Sequence, residues 1–312
     1  MQIEFVGERA IAINKDQTIL EASLEAGIPH FHACGGKGKC TTCRILVLEG
    51  AENLSKPNKK EAKLRDSIKM TPSLRLACQT RIETEPVKVE RIIKDVSDIS
   101  QYVQLDNKDR RAIRLKSLGE EKYLVLFFLD IRNFTPFIET YLPFDVMYIT
   151  RKLFDVFYEI IARYNGKIIE NAGDELYAVF GLESSIREAA DDAIATGNAI
   201  LDELDKLNKT YLNVYFLKEF EVGIGIHSGK VIIGEFKLGG QLKTSVMGLD
   251  VNIASRIQNA TKDLNNSFVA SDEVIRHSSF KGDSRQSEVN LKGLTANYHV
   301  HLLGEPYKKP KS

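Results

Sequence analysis

Net charge, long apolar runs and cysteine are all scarce in this chain, and each scarcity excludes something. Lys plus Arg and Asp plus Glu both total 43 over 312 residues, so the formal net charge is zero. Without an overall basic excess there is no sequence argument for a nucleic-acid or membrane partner. The longest strongly apolar run, LVLFFL at 124–129, falls far short of the roughly 20 residues that span a bilayer. The first residues, MQIEFVGERA, have neither a basic n-region nor an apolar h-region, so no signal peptide is expected and the expected compartment is the cytoplasm. No internal repeat is visible. The length suits about two domains, each able to build a core.

Only four cysteines are present, and they are unevenly placed. Cys34, Cys40 and Cys43 stand at C-x5-C-x2-C spacing in HACGGKGKCTTCRI, and Cys78 follows in LACQT. A glycine-rich loop can wrap thiolates around an inorganic cluster while its backbone amides face the sulfides. Two disulfides, in any of three connectivities, are the alternative on cysteine count alone, but they suit a small secreted domain. Zinc is the other alternative, although paired C-x2-C knuckles would favour it and there is one here. The spacing favours iron–sulfur.

Residues 1–13 read as a hairpin turning at Gly7-Glu8, and 18–27 as a short amphipathic helix stopped by Gly27 and Pro29. RILVLEG (44–50) reads as a strand, 51–73 as polar with a short helix, and RLACQTRI and VKVERI complete a small β-rich domain over 1–94. Residues 95–120 are highly charged and poor in core residues, and read as a partly helical linker that either spaces or transduces. From 121 the pattern is α/β: a buried strand at 123–130, a helix over 143–164 entered at Pro143, a hairpin over 167–181 turning at Asn171–Asp174, a serine-capped helix over 184–208, a second hairpin over 219–236 turning at His227-Ser228-Gly229, and a helix over 250–261. The domain runs to 304, and 305–312 is a tail read as disordered. The fold class expected is α+β, with two domains.

Residues 1–94 resemble the [2Fe-2S] ferredoxins of the adrenodoxin type, which implies a small β-grasp-like domain with Cys34, Cys40, Cys43 and Cys78 as cluster ligands. His32 beside them is expected to be a packed or solvent-facing imidazole. Residues 121–304 resemble the class III adenylyl/guanylyl cyclase catalytic domain through FLDIRNF, AGDELYAVF, GIHSG and VMGLDVNIASR, in family order. That implies an α/β domain with a βαββαβ palm core. It also implies two Mg²⁺ or Mn²⁺ ions held by Asp130, Asp174 and the backbone carbonyl of Ile131, hard oxygen donors for hard cations. Separately, each aspartate is an ordinary turn residue; it is their company that distinguishes them. Asn252 and Arg256, four apart, share a helical face, and the resemblance assigns the first to the ribose and the second to charge developing on the phosphate. The family's sites form across a head-to-tail homodimer.

The family's base-reading positions fall on Glu170 and Ser245. A carboxylate can accept from guanine N1–H and the 2-amino group but cannot donate to adenine N1, so GTP is favoured, with ATP and then a pyrimidine triphosphate as alternatives. Ser245 can serve either purine. Lys292 in NLKGL, or Lys243, is the candidate triphosphate lysine. AGDEL echoes the GGDEF string of diguanylate cyclases, but the VNIASR helix belongs to class III. A different alternative is an electron-transfer protein whose cyclase-like half only dimerises; it predicts damaged catalytic positions, and Asp130, Asp174, Asn252 and Arg256 are all present. The combined expectation is a redox-regulated nucleotidyl cyclase, with a ferredoxin reductase as a further partner.

Overall fold

The computed structural model describes residues 1–94, 103–105, 113–115, 119–238, 241–282 and 284–308, and the chain divides into two units, Met1–Leu118 and Gly119–Ser312. In the first unit, alternation of Ile3, Phe5 and Ile11 with exposed neighbours produces β1 (Gln2–Phe5) and β2 (Ala10–Ala12), joined by a turn in which the Phe5 amide donates to the Arg9 carbonyl. β3 (Arg44–Glu49), β4 (Leu74–Leu76) and β5 (Lys88–Arg91) complete a five-stranded sheet in the order β2-β1-β5-β3-β4, with β1 and β5 parallel. The helix Ile19–Glu25 is fixed at its start by a capping box between Thr18 and Glu21. Its first amides, from Ile19 and Leu20, donate to the carbonyls of Thr80 and Ala77, so the helix is pinned to the segment that carries Cys78. A second helix, Lys59–Ser67, is capped by Asn58, which accepts from the amides of Lys60 and Glu61.

The expected linker over 95–120 lies mostly outside the described residues. The described pieces are not helical: β6 (Val103–Leu105) and β7 (Ile113–Leu115) pair antiparallel. Of the tail, residues 309–312 also lie outside.

The second unit opens with β8 (Glu120–Ile131), buried on both faces from Leu124 to Leu129. Val125, Phe127, Leu129 and Ile131 face the core under the helices Pro143–Arg163 and Ile186–Leu207, while Leu124, Leu126 and Phe128 face a smaller core that includes Ala254 of the helix Leu249–Ala260. β9 (Lys167–Ala172) and β10 (Glu175–Phe180) form the expected hairpin, and β11 (Val222–Leu238) closes a βαββαβ core in which the strands lie β11-β8-β10-β9. β12 (Gln241–Met247) pairs with β11, and β13 (Phe268–Ser271), β14 (Arg285–Asn290) and β15 (Asn297–Leu302) extend the sheet beyond it. The two-domain α+β architecture expected from the sequence is what the chain adopts. No described helix is long and apolar enough to cross a membrane.

One expected turn is absent. GIHSG does not reverse the chain: His227, Ser228 and Gly229 pair with Leu126, Val125 and Leu124 inside one continuous β11, and the reversal comes only between Leu238 and Gln241. The glycines serve packing instead. A Cβ on Gly225 would run into the backbone of Gln258, and one on Gly229 into the carboxyl of Asp250. The helix Leu249–Ala260 can therefore lie directly on the strand.

Candidate functional site

The cysteine loop is shaped by Gly35, Gly36 and Gly38, all with left-handed φ (65°, 77° and 67°) that side chains resist. This curls the chain so that amides turn toward sulfur. The thiols gather as two pairs. Cys43 donates to Cys78 across 3.4 Å, and Cys34 is hydrogen-bonded to Cys40. The hydrogen bond from Cys43 brings Cys78 down to about 6 against its burial, with help from the side chain of Gln79 and the amide of Gly38. Cys43, as donor and by burial, is pushed up. Burial pushes Cys34 up as well, but the Lys39 amide, Cys40 and the Lys37 amide outweigh it and its pKa is lowered. Each pair thus favours one thiolate, and the surrounding N–H donors are those a sulfur-bound cluster uses. His32 donates from Nδ1 to the His30 carbonyl (2.8 Å); its ring is half-buried and its pKa lowered by burial.

Gln79 is a residue the sequence did not single out. Its Nε2 donates to the Sγ of Cys78 (3.2 Å), the carbonyl of Gly36 (3.0 Å) and its neighbour's carbonyl (2.8 Å), and its Oε1 accepts from Asn58 Nδ2 (3.0 Å). A ligand cysteine candidate is thereby tied to the cap of a surface helix.

In the second unit, Asp130 is the penultimate residue of β8, and the β9–β10 turn, with Gly173 at φ 66°, delivers Asp174 beside it. The Ile131 amide donates to the Asp174 carbonyl (3.2 Å), and Glu175 pairs with Asp130 in the β10–β8 ladder. Burial, then the hydrogen bond and charge of Asp174, lift Asp130 to about 6, while Arg132 and Lys262 pull the other way. Those cations stand 3.6 Å and 3.9 Å from its carboxylate. Glu175 is raised by burial and by the charges of Asp174 and Glu170. Carboxylates crowded to the point of sharing a proton are a donor set that suits a divalent cation. Among the described residues no three acidic, histidine or cysteine side chains already form a metal array. The pair is a partial set, as expected for Mg²⁺, which keeps waters and phosphate oxygens as its other ligands. Arg132 stands inside FLDIRNF but was given no role, and Lys262 belongs to none of the quoted motifs.

Asn252 is exposed and Arg256 half-buried on the outer face of their helix, whose Ile253, Ala254, Ile257 and Gln258 pack inward. The helix is positioned by His227, buried in β11, which bridges Ser271 (2.9 Å) and Asp250 (3.3 Å). Asn252 precedes Gln258, the residue packed on the Asp130 end of β11, by about 9 Å of helix rise. No hydrogen bond or ion pair among the described residues joins Asn252 or Arg256 to Asp130 or Asp174. Glu170 is exposed on β9 and Ser245 half-buried on β12; the two strands are linked where Lys167 Nζ donates to Thr244 (3.3 Å). Lys243 and Lys292 are exposed.

The profile of the "Adenylate and Guanylate cyclase catalytic domain" family matches residues 118–304, and the chain belongs to that family. A second profile, "2Fe-2S iron-sulfur cluster binding domain", matches residues 5–83. The chain is therefore a 2Fe-2S ferredoxin domain followed by a class III nucleotidyl cyclase domain. It is 31% identical over 148 residues to Adenylate cyclase 1 of Rhizobium meliloti, covering 47% of this chain and 22% of the relative. An uncharacterized Mycobacterium tuberculosis protein is 28% identical over 183 residues, covering 58% and 32%. The chain spans about a fifth to a third of the length of these curated relatives. Among solved structures, the guanylyl cyclase Cya2 superposes with a TM-score of 0.55 at 22% identity, over 61% of this chain and 95% of that one. The adenylyl cyclase CyaB from P. aeruginosa does so at 0.53 and 23%, over 59% and 94%. Both report the fold of the second unit.

Proposed function

We propose that the protein is a redox-regulated nucleotidyl cyclase that converts GTP, in preference to ATP, into the 3′,5′-cyclic nucleotide and pyrophosphate. The observation that carries the reading is the hydrogen-bonded pair Asp130–Asp174 at the meeting of a strand end and a hairpin turn. These carboxylates, with the Ile131 carbonyl, would hold two Mg²⁺ or Mn²⁺ ions. When bound, such ions lower the pKa of an attacking hydroxyl and neutralise a triphosphate. The ribose 3′-hydroxyl attacks the α-phosphorus in line. Asn252 orients the ribose, and the Arg256 guanidinium takes up charge developing on the phosphate. Glu170 accepts from the guanine edge and Ser245 completes the base contact, while Lys292, with Lys243 as the second candidate, holds the outer phosphates. Among the described residues Asn252 and Arg256 make no hydrogen bond or ion pair with Asp130 or Asp174, which supports a site completed head-to-tail by a second copy, with two equivalent sites.

In the first unit, Cys34, Cys40, Cys43 and Cys78 hold the [2Fe-2S] cluster, in keeping with their two-by-two grouping. The state of the cluster shifts the dimer between competent and incompetent arrangements. The test of the chemistry is incubation of the anaerobically prepared protein with Mn²⁺ and an equal mixture of ATP, GTP, CTP and UTP, with products identified by mass spectrometry. Dominant cGMP supports Glu170 as the guanine reader. Dominant cAMP keeps the cyclase and removes that argument, and no cyclic product removes the cyclase. Equal turnover of oxidised, dithionite-reduced and Cys34→Ser protein would remove the regulation.

A further inference from the structure

The helix Lys59–Ser67 presents an excess of positive charge beside the cysteine loop. Its first-turn acid, Glu61, is fully buried; both its oxygens are taken by Arg75 (2.9 and 3.0 Å), and one also accepts from the Leu76 amide (2.9 Å). With that carboxylate turned inward, Lys56, Lys59, Lys60 and Lys63 remain exposed and, among the described residues, without an ion pair. Asp66, at the far end of the helix, and Glu52, before it, are the exposed acids of the segment. Several lysines elsewhere have partners, Lys88 with Glu49, Lys94 with Glu90, Lys206 with Glu203 and Lys209 with Asp205, while the exposed Lys69, Lys243 and Lys292 are scattered over other parts of the chain. Among the described residues, Lys37, Lys56, Lys59, Lys60 and Lys63 make no ion pair.

This basic group is not spread at random. Gln79, which donates to Cys78, touches it from two sides. Its Oε1 accepts from Asn58, the residue immediately before Lys59 and Lys60, and its side chain packs against Gly38, the residue after Lys37. The half-exposed Cys34 and Cys40 lie in the same loop. The part of the surface through which an electron would reach the sulfurs is therefore rimmed with unpaired positive charge, in a chain whose net charge is zero.

The geometry points to the lysine rim, Lys37 with Lys56, Lys59, Lys60 and Lys63, as the docking surface for an electron-transfer protein with an acidic face. The inference rests on the cluster reading given above. Complementary charge steers such encounters and sets their rate more than their final affinity. Nothing covalent changes: one electron leaves the partner and reduces one ferric iron of the oxidised cluster to ferrous, with no bond made or broken and no proton moved.

The experiment uses the full-length protein with its cluster in place. Reduced flavodoxin, strongly acidic, serves as electron donor, and basic ferricytochrome c as acceptor from the reduced protein, both followed by stopped-flow absorbance. The expected result is that flavodoxin reacts fast at low salt and slows steeply as salt rises. The triple variant Lys59→Glu/Lys60→Glu/Lys63→Glu should lose about tenfold or more in that rate and gain with cytochrome c. Lys→Gln at the same positions, which keeps helix propensity and adds no repulsion, should fall between. Rates that ignore both salt and charge reversal, with the cluster spectrum intact, overturn the docking surface alone. Altered cyclase turnover with unaltered flavodoxin kinetics overturns it too, in favour of a contact inside the protein's own assembly. A protein that forms no iron–sulfur chromophore overturns the cluster reading and this inference together.

Discussion

Asp130, near the end of β8, is hydrogen-bonded to Asp174 in the β9–β10 turn, and burial with the hydrogen bond and charge of Asp174 raises Asp130 to about 6. The folded value lies above the ordinary 3.8, so the fold favours the neutral acid. That contribution to stability is complete below about pH 4 and is lost as pH rises through about 6. The metal-free protein is expected to lose thermal stability across this window, and Asp130→Asn to flatten the slope. Melting curves from pH 4 to 8 on both proteins decide it. Since a cation needs both carboxylates ionised, Mn²⁺ affinity, read by EPR titration, should climb up to pH 6 and then level.

Asp130→Asn and Arg256→Ala should each cost about a hundredfold or more in turnover. Mixed in equal amounts after co-refolding or co-expression, they should recover about a quarter of the wild-type rate, because half of random dimers carry one intact site of two. No recovery would place both residues in one subunit's site and sink the head-to-tail arrangement.

Gly225→Ala should lower stability by about 1–3 kcal/mol, as overpacking against an immovable neighbour does. The added methyl meets the Gln258 backbone, so the helix carrying Asn252 and Arg256 must shift. Urea denaturation gives the first effect and kcat the second; a variant of unchanged stability would show that the helix is not seated on the strand.

Gln79→Leu is close in size but deletes the donor to Cys78 Sγ. Hydrogen bonds to sulfur favour the more negative, reduced cluster, so the variant's reduction potential should fall below that of the wild type in a spectroelectrochemical titration. An unchanged potential would make Gln79 a purely structural residue.

The elements that were legible in advance were those whose signals are local. Thr18 with Glu21 and Ser185 with Glu188 are capping boxes, and both helices start where the sequence says. The hairpin bringing Asp174 to Asp130 was legible because glycine and carboxylate sit between two apolar runs. GIHSG has the same vocabulary and was misread as a turn. Its glycines are required by a helix that arrives later in the chain, and nothing within five residues reveals that. Lys262 was missed for a similar reason: a single cation has no spacing to recognise, and only the fold brings it to Asp130. Arg132 stood within FLDIRNF beside Asp130, but the sequence does not say that its side chain turns back to that carboxylate. The lysine rim was hidden because Glu61 looks like its counter-charge until the fold turns it inward to Arg75.

The connection from Asn58 through Gln79 to Cys78 makes the Lys59–Ser67 helix and the cysteines one thermodynamic system. If loss of iron alters the hold on Gln79, it alters the cap of the helix. By reciprocity, whatever grips the helix must change the domain's affinity for iron by the same factor. A partner that grips the iron-loaded form more tightly would then raise the domain's affinity for iron as well as exchange electrons, and the fraction of domains holding the cofactor would record how often the surface is occupied.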